Sequence, residues 1–209
     1  MRRLVVTLDL PTAIEARRAA QTIGSAGAAV RVGARLLNRV GPAVVATLYT
    51  DAEVMVDTRI SGAAVEVIAA VRSLATLGAC WITVDGAVGS EGVAQAAAAV
   101  RAYGAGLVAT TVSPEAPDPH GARGRAVSLA ARDLAACGVA ALLGKVQDIG
   151  VVAQAAPDVP VVVVGAETPD DVADALGRGA LAVVVEAGIA RAADPAAAVA
   201  PFVEAAQVA

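Results

Sequence analysis

The segment Val54-Met55-Val56-Asp57-Thr58-Arg59-Ile60-Ser61-Gly62 carries an acid and a base at the end of an apolar run. In an extended chain residues i and i+2 point the same way, so Asp57 and Arg59 are expected to share one side of a buried strand. Unpaired buried charges are costly, which leaves two uses for such a pair: a structural ion pair or a site. Polar endings of this kind recur at Asp9, Arg31 with Arg35, Asp85, Thr111 with Ser113, Lys145 with Gln147, Glu167 and Glu186. Guanidiniums in that company grip carboxylates and other oxyanions through paired N–H donors, and carboxylates orient hydroxyls or hold the guanidiniums in place. Lys145 is the only lysine against fifteen arginines, and a desolvated lysine there can form a Schiff base with a carbonyl. The competing readings are an ion-pair cluster that plugs the fold and a solvated loop lysine.

These residues are positioned by eight short apolar runs rich in β-branched residues: Leu4–Asp9, Ala28–Leu36, Val54–Arg59, Trp81–Gly86, Gly106–Val112, Val139–Gly144, Val159–Gly165 and Leu181–Glu186. Nearly continuous apolar character is the pattern of strands buried on both faces, as in a parallel sheet. Between them lie Ala-rich amphipathic stretches at Thr12–Gly24, Pro42–Tyr49, Gly62–Leu77, Ser90–Tyr103, Arg123–Cys137, Ile149–Ala155, Pro169–Gly177 and Pro195–Gln207. Thr12, Ser90, Thr168 and Asp194 read as N-caps, Pro169 and Pro195 as first helical residues, and Gly24, Gly78, Gly104, Gly138 and Gly179 as helix ends. Eight such units over residues 1–209 predict an α/β chain folded as a single (β/α)8 TIM barrel. An open dinucleotide-binding sheet would need a Gly-rich first turn, and Asp9-Leu10-Pro11-Thr12 has no glycine. In a barrel the site lies at the C-terminal strand ends, so Asp9, Arg31, Asp57, Arg59 and Asp85 are expected to face one another across its mouth with alternating sign.

Composition narrows the classes. Hydrophobic residues make up 57% and aromatics 2%, so the core is aliphatic. No run reaches the ~18 apolar residues of a spanning helix, and acidic and proline residues follow Met1-Arg2-Arg3 too soon for a signal peptide, so the chain reads as soluble and cytoplasmic. A net charge of −4 and the scarcity of aromatics argue against nucleic-acid binding. Cys80 and Cys137 have no metal-ligand or disulfide spacing and read as small hydrophobes. Gly86-Ala87-Val88-Gly89-Ser90-Glu91-Gly92 reads as a βα loop or an anion cradle, and His120 as a solvated residue of a turn-rich loop.

In order and spacing the chain resembles the orotidine 5′-monophosphate decarboxylase superfamily, which includes 3-keto-L-gulonate 6-phosphate decarboxylase and 3-hexulose 6-phosphate synthase. The resemblance is carried by Val6-Thr7-Leu8-Asp9, Val30-Arg31-Val32-Gly33, Asp57-Thr58-Arg59, Gly78-Ala79-Cys80-Trp81-Ile82-Thr83-Val84, Val184-Val185-Glu186-Ala187-Gly188-Ile189 and Arg191-Ala192-Ala193-Asp194-Pro195. It implies a homodimeric carbon–carbon lyase that takes a small sugar phosphate or nucleotide. The departures fall at the chemistry. The family's Asp-x-Lys-x-x-Asp has Arg59 for its lysine and Gly62 for its second acid. Arg31 stands where the sugar-phosphate branch has a magnesium-binding Glu, and Glu186-Ala187 where the family has a phosphate-gripping Gly-Arg. Gly165-Ala166 keeps the small residues of the seventh-strand phosphate loop.

The expected site has Asp57, Arg59 and Arg31 as its catalytic group. Asp9, Asp85, Thr111, Lys145, Gly165, Ala166, Glu186 and Gly188 are its substrate-binding positions, with no metal and no cofactor. The reading is a decarboxylase-like lyase with a diverged site, poor or inactive on orotidine monophosphate. The alternatives are a catalytically silent metabolite-binding barrel and a Schiff-base aldolase using Lys145.

Overall fold

The eight apolar runs become parallel strands that pair in chain order into a closed barrel, β8 returning to β1. The strands are β1 (Leu4–Leu8), β2 (Ala29–Gly33), β3 (Val54–Ile60), β4 (Trp81–Asp85), β5 (Gly106–Thr110), β6 (Ala141–Lys145), β7 (Val161–Ala166) and β8 (Ala182–Val185). The helices around them are α1 (Ala13–Ser25), α2 (Ala34–Val40), α3 (Val44–Tyr49), α4 (Ala64–Thr76), α5 (Ser90–Arg101), α6 (Arg123–Ala135), α7 (Ile149–Ala155), α8 (Pro169–Gly177) and α9 (Pro195–Val208). The structure is a computed structural model and describes residues 1–113, 118, 121–186 and 188–208. Among these residues no helix is long and apolar enough to cross a membrane. His120 and most of the run Pro114–Gly121 lie outside the described residues.

Two apolar layers hold the barrel. Outward strand residues such as Val6, Val30, Val56, Ile82 and Val163 pack against the helices. Inward residues Val5, Ala29, Met55, Val108, Ala141, Leu143, Val162, Ala182 and Val184 fill the interior, with Trp81 packed against them. Small and large residues alternate there because a narrow eight-stranded barrel has room only for interdigitated side chains. Trp81 takes its space at the expense of Gly106, where a Cβ would stand 2.6 Å from the indole. Its Nε1 donates to Glu53 Oε1 at 2.5 Å, which fixes the ring. Gly106→Ala is therefore expected to destabilise by about 1–3 kcal/mol through overpacking, read from the denaturant midpoint; an unchanged midpoint would show that the ring has room to move.

The second run departs from expectation. The strand ends at Gly33 and Arg35 and Leu36 belong to α2, so Ala28–Leu36 is not one extended segment. Ala34 to Val40 holds good helix formers, and helical spacing buries Leu36 fully. Gly24 does not end α1 either. It lies inside the helix, where a Cβ would meet the Asp51 carbonyl at 2.3 Å, and the chain turns at Gly27 with φ +93°. Gly89 rather than Ser90 occupies the cap of α5. Thr12 caps α1, and Thr168 and Asp171 cap α8 reciprocally. The Thr168 hydroxyl and the N–H groups of Glu167 and Thr168 hold the Asp171 carboxyl below its usual range. That cap is complete above the ordinary carboxylate range and is lost as pH falls through the depressed value.

Candidate active site

The site grows out of the same alternation that fills the barrel. Along β1 the inward series runs from Val5 to Thr7, along β2 from Ala29 to Arg31, along β3 from Met55 to Asp57, and along β4 from Trp81 to Thr83 and Asp85. Apolar residues give way to polar ones toward the C-terminal end, where no further layer covers them. A cavity of about 700 Å³ opens there, lined by Thr7, Asp9, Arg31, Arg35, Asp57, Arg59, Asp85, Glu186, Gly188 and Arg191, among others. That volume suits a small-molecule ligand.

Asp57 is a deeply placed charge, with 1% of its side chain exposed. Both oxygens are used: Oδ2 accepts from Arg31 Nε at 2.7 Å and Oδ1 from the Thr83 hydroxyl at 2.6 Å. Arg31 Nη1 donates to Thr7 Oγ1 at 3.1 Å and lies 3.7 Å from Glu186 Oε1. Its Nη2 makes no hydrogen bond with the described residues, and Arg31 lines the cavity. The carboxylate thus works as a counterion that aims a guanidinium into the cavity.

Arg59 reaches the cavity by another route than simple alternation. Its backbone has φ +47°, the one positive φ at a non-glycine among the described residues, and the pairing of β3 with β4 shifts between Val56 and Ile60. The expectation that Asp57 and Arg59 share a side by i, i+2 spacing is corrected to this extent: a bulged turn delivers Arg59. Its N–H donates to Thr83 Oγ1 at 3.1 Å and its Nη1 to Ser113 Oγ at 3.0 Å. Such a backbone costs about 1–3 kcal/mol, and strain of this kind concentrates at functional sites. Gly62 follows with φ +125°, a conformation that suits glycine, so the loop has no unstrained place for a side chain at that position.

The single ring of alternating charge expected around the mouth is two clusters instead. Asp9 pairs with Arg35, Arg39 and Arg191 rather than with Arg31 or Arg59. Asp85 lines the cavity and also accepts from the Ala87 N–H at 2.9 Å, closing the turn Gly86–Val88. Gly86 is explained by packing, since a Cβ there would stand 2.5 Å from the Thr110 carbonyl.

Thr111, Lys145, Gly165 and Ala166 do not line this cavity. The Thr111 hydroxyl donates to the Leu143 carbonyl at 3.3 Å, and Ala166 is buried. Lys145 is partly buried at the top of β6 and makes no ion pair with the described residues. Gly165 is exposed, with φ +97°. Among the described residues no group of three or more His, Cys, Asp or Glu is placed to hold a metal ion.

Sequence reasoning missed Thr7 and Thr83, which read as members of apolar strands, and Arg39, whose helix was read as strand and loop. It also missed the buried pair Arg123–Asp148 beside the site. There Arg123 Nε and Nη2 meet the two Asp148 oxygens at 3.0 and 2.7 Å, and Arg123 Nη1 donates to the Ser113 carbonyl at 3.1 Å.

A family model described as "Orotidine 5'-phosphate decarboxylase / HUMPS family" matches residues 2–202. No curated protein matches the chain. Among solved structures, an orotidine 5'-phosphate decarboxylase from Lactobacillus acidophilus superposes with a TM-score of 0.83 at 21% identity, over 100% of this chain and 98% of that one. An uncharacterized conserved protein from Geobacillus kaustophilus gives 0.81 at 22% identity, over 97% and 99%. The orotidine 5'-phosphate decarboxylase from Pyrococcus horikoshii OT3 gives 0.82 at 16%, over 98% and 99%. At these identities the structural likeness speaks for the fold.

Proposed function

The chain belongs to the orotidine 5'-phosphate decarboxylase / HUMPS family, and from that premise we propose that it is a decarboxylase-type carbon–carbon lyase whose cavity has diverged from the nucleotide enzyme. The observation that carries the reading is Arg31, held between Asp57 and Thr7 with donors left facing a cavity that Arg59 also lines. A carboxylate on the substrate is the natural partner of such a fork.

In the reaction the bond between the substrate carbon and its carboxylate breaks, carbon dioxide leaves, and the electron pair stays on the carbon. Arg31 and Arg59 stabilise that negative charge as it develops, and Asp57 and Thr83 keep the first guanidinium fixed so that it need not reorganise. The carbanion then takes a proton from water, releasing hydroxide; neither water nor an always-charged guanidinium donates a proton as readily as a lysine ammonium, so this step is slow. Asp9 and Asp85 orient hydroxyls or the arginines beside them.

This proton economy sets the test. Release of carbon dioxide from orotidine 5'-monophosphate is expected to fall below ~1 s⁻¹, under the usual range of enzyme turnover. Turnover within that range would sink the claim that Arg59 in place of a lysine disables the nucleotide reaction. Release from a panel of phosphorylated 3-keto acids, abolished by Arg31→Ala, supports the lyase reading. No release from any of them, with unaltered ligand-induced stabilisation in Arg31→Ala, would favour a silent metabolite-binding barrel.

A further inference from the structure

We propose that Thr83 is a positioning residue that sets both cavity guanidiniums, Arg31 and Arg59, through a single hydroxyl. The inference rests on the reading above only in treating those two arginines as the working groups of the cavity. Up to Val56 the ladder between β3 and β4 is regular, with Met55 opposite Trp81 and Val56 opposite Ile82. It resumes with Ile60 opposite Val84. Three residues of β3, Asp57, Thr58 and Arg59, therefore span the place of one residue of β4, Thr83. Such an excursion takes backbone groups away from their ladder partners, and buried ones must find others. The Thr83 hydroxyl supplies one: the Arg59 N–H donates to its Oγ1 at 3.1 Å. That bond holds the chain at the residue whose φ is +47°.

The same oxygen works in the other direction. Its one proton goes to Asp57 Oδ1 at 2.6 Å, the length of a charge-assisted bond, while the Val56 carbonyl stands 3.5 Å away. Asp57 Oδ2 accepts in turn from Arg31 Nε at 2.7 Å. A continuous chain of bonds thus joins the Arg31 guanidinium, the Asp57 carboxylate, the Thr83 hydroxyl and the Arg59 backbone. Its polarity is fixed, because an ionised carboxylate only accepts, so the hydroxyl donates there and keeps a lone pair for the amide. Thr83 is fully buried between Ile82 and Val84 and does not line the cavity, so it acts through the residues it holds. Valine has nearly the same shape and suits a strand as well, so packing alone gives no use for a hydroxyl at that position. Ser113 Oγ meets Arg59 Nη1 at 3.0 Å, so Thr83 sets the root of that side chain and Ser113 its tip. Without the Thr83 hydroxyl, Asp57 Oδ1 loses this donor and Arg31 loses a fixed counterion. The Arg59 turn loses its anchor at the same time.

Phenylglyoxal labelling of the full chain, followed at each arginine by peptide mass mapping, tests this without any turnover, so its outcome is separate from that of the lyase reading. Thr83→Val keeps the shape and removes the hydroxyl. Arg31 and Arg59 are both expected to label at least ~10-fold faster in it than in the wild type, since two buried hydrogen bonds that restrain them are gone. Thr83→Ser keeps the hydroxyl and is expected to leave both rates at their wild-type values, although it loses a buried methyl group. Arg123, buried against Asp148, reports on the fold, and its labelling is expected to stay slow in both variants. Unchanged labelling in Thr83→Val, acceleration of only one of the two arginines, or equal acceleration in Thr83→Ser would each overturn the proposal. Amide hydrogen exchange in the wild type gives a measure that needs no variant. The Arg59 N–H is expected to exchange as slowly as the amides of the regular β3–β4 ladder. Exchange at the rate of an open loop would overturn the proposal even if Thr83→Val failed to fold.

Discussion

Arg123→Ala is expected to destabilise the protein by about 3–5 kcal/mol, the range for removing one partner of a buried ion pair. Arg123 is 6% and Asp148 3% exposed, and two parallel N–H donors meet the two carboxylate oxygens. Removal of the guanidinium leaves Asp148 buried with the Lys145 N–H at 2.8 Å as its remaining donor among the described residues. The Ser113 carbonyl also loses a donor, and the Ser113 hydroxyl is what Arg59 Nη1 grips. Loss of activity should therefore accompany loss of stability even though Arg123 does not line the cavity. Replacing both partners by apolar residues, Arg123→Met with Asp148→Leu, should recover much of the stability, because the desolvation cost of the two charges disappears with them. A double-mutant cycle by urea unfolding measures this directly. A single-variant cost below about 1 kcal/mol would show the pair to be as weak as an exposed one.

That pair also shows where the sequence stops being legible. The barrel was readable because its signal is local: eight β-branched runs, each followed by an amphipathic stretch with a cap or a terminal glycine. The position of the polar cavity followed from the fold, since inward alternation turns polar at the same end of β1 to β4. Partnership was a different matter. Arg123 and Asp148 are 25 residues apart and Asp9 and Arg191 are 182 apart, and the residue type says nothing about which arginine will find which acid. A bulge likewise has no sequence period, so the turn that delivers Arg59 was invisible in a pattern of i and i+2. Gly62 carried the clearest local hint: a glycine beside a charged strand end marks a backbone that side chains rarely adopt, and the structure has φ +125° there.

The largest effect within the cavity is expected at Arg31. Arg31→Ala removes the cation that pairs with Asp57 among the described residues and leaves a carboxylate that is 1% exposed with Thr83 as its hydrogen-bond donor. The expected cost is about 3–5 kcal/mol. Asp57→Asn should cost less, about 1–3 kcal/mol, because the amide oxygen still accepts a hydrogen bond and Arg31, 14% exposed, can turn toward water in the cavity. The order of the two variants is the discriminating result. If Asp57→Asn is the more damaging to folding, the carboxylate serves the fold first and the aiming of Arg31 second. Carbon dioxide release separates the roles further. A guanidinium that stabilises the developing charge should cost about 10²–10³ in kcat when removed, the scale of losing one preorganised donor. Arg31→Lys should recover little of it. An ammonium keeps the charge, but it cannot reach Asp57 through one nitrogen and Thr7 through another while presenting a third to the ligand. Full activity in Arg31→Lys would mean that charge alone suffices, and that the fork held by Asp57 and Thr7 is incidental to the chemistry.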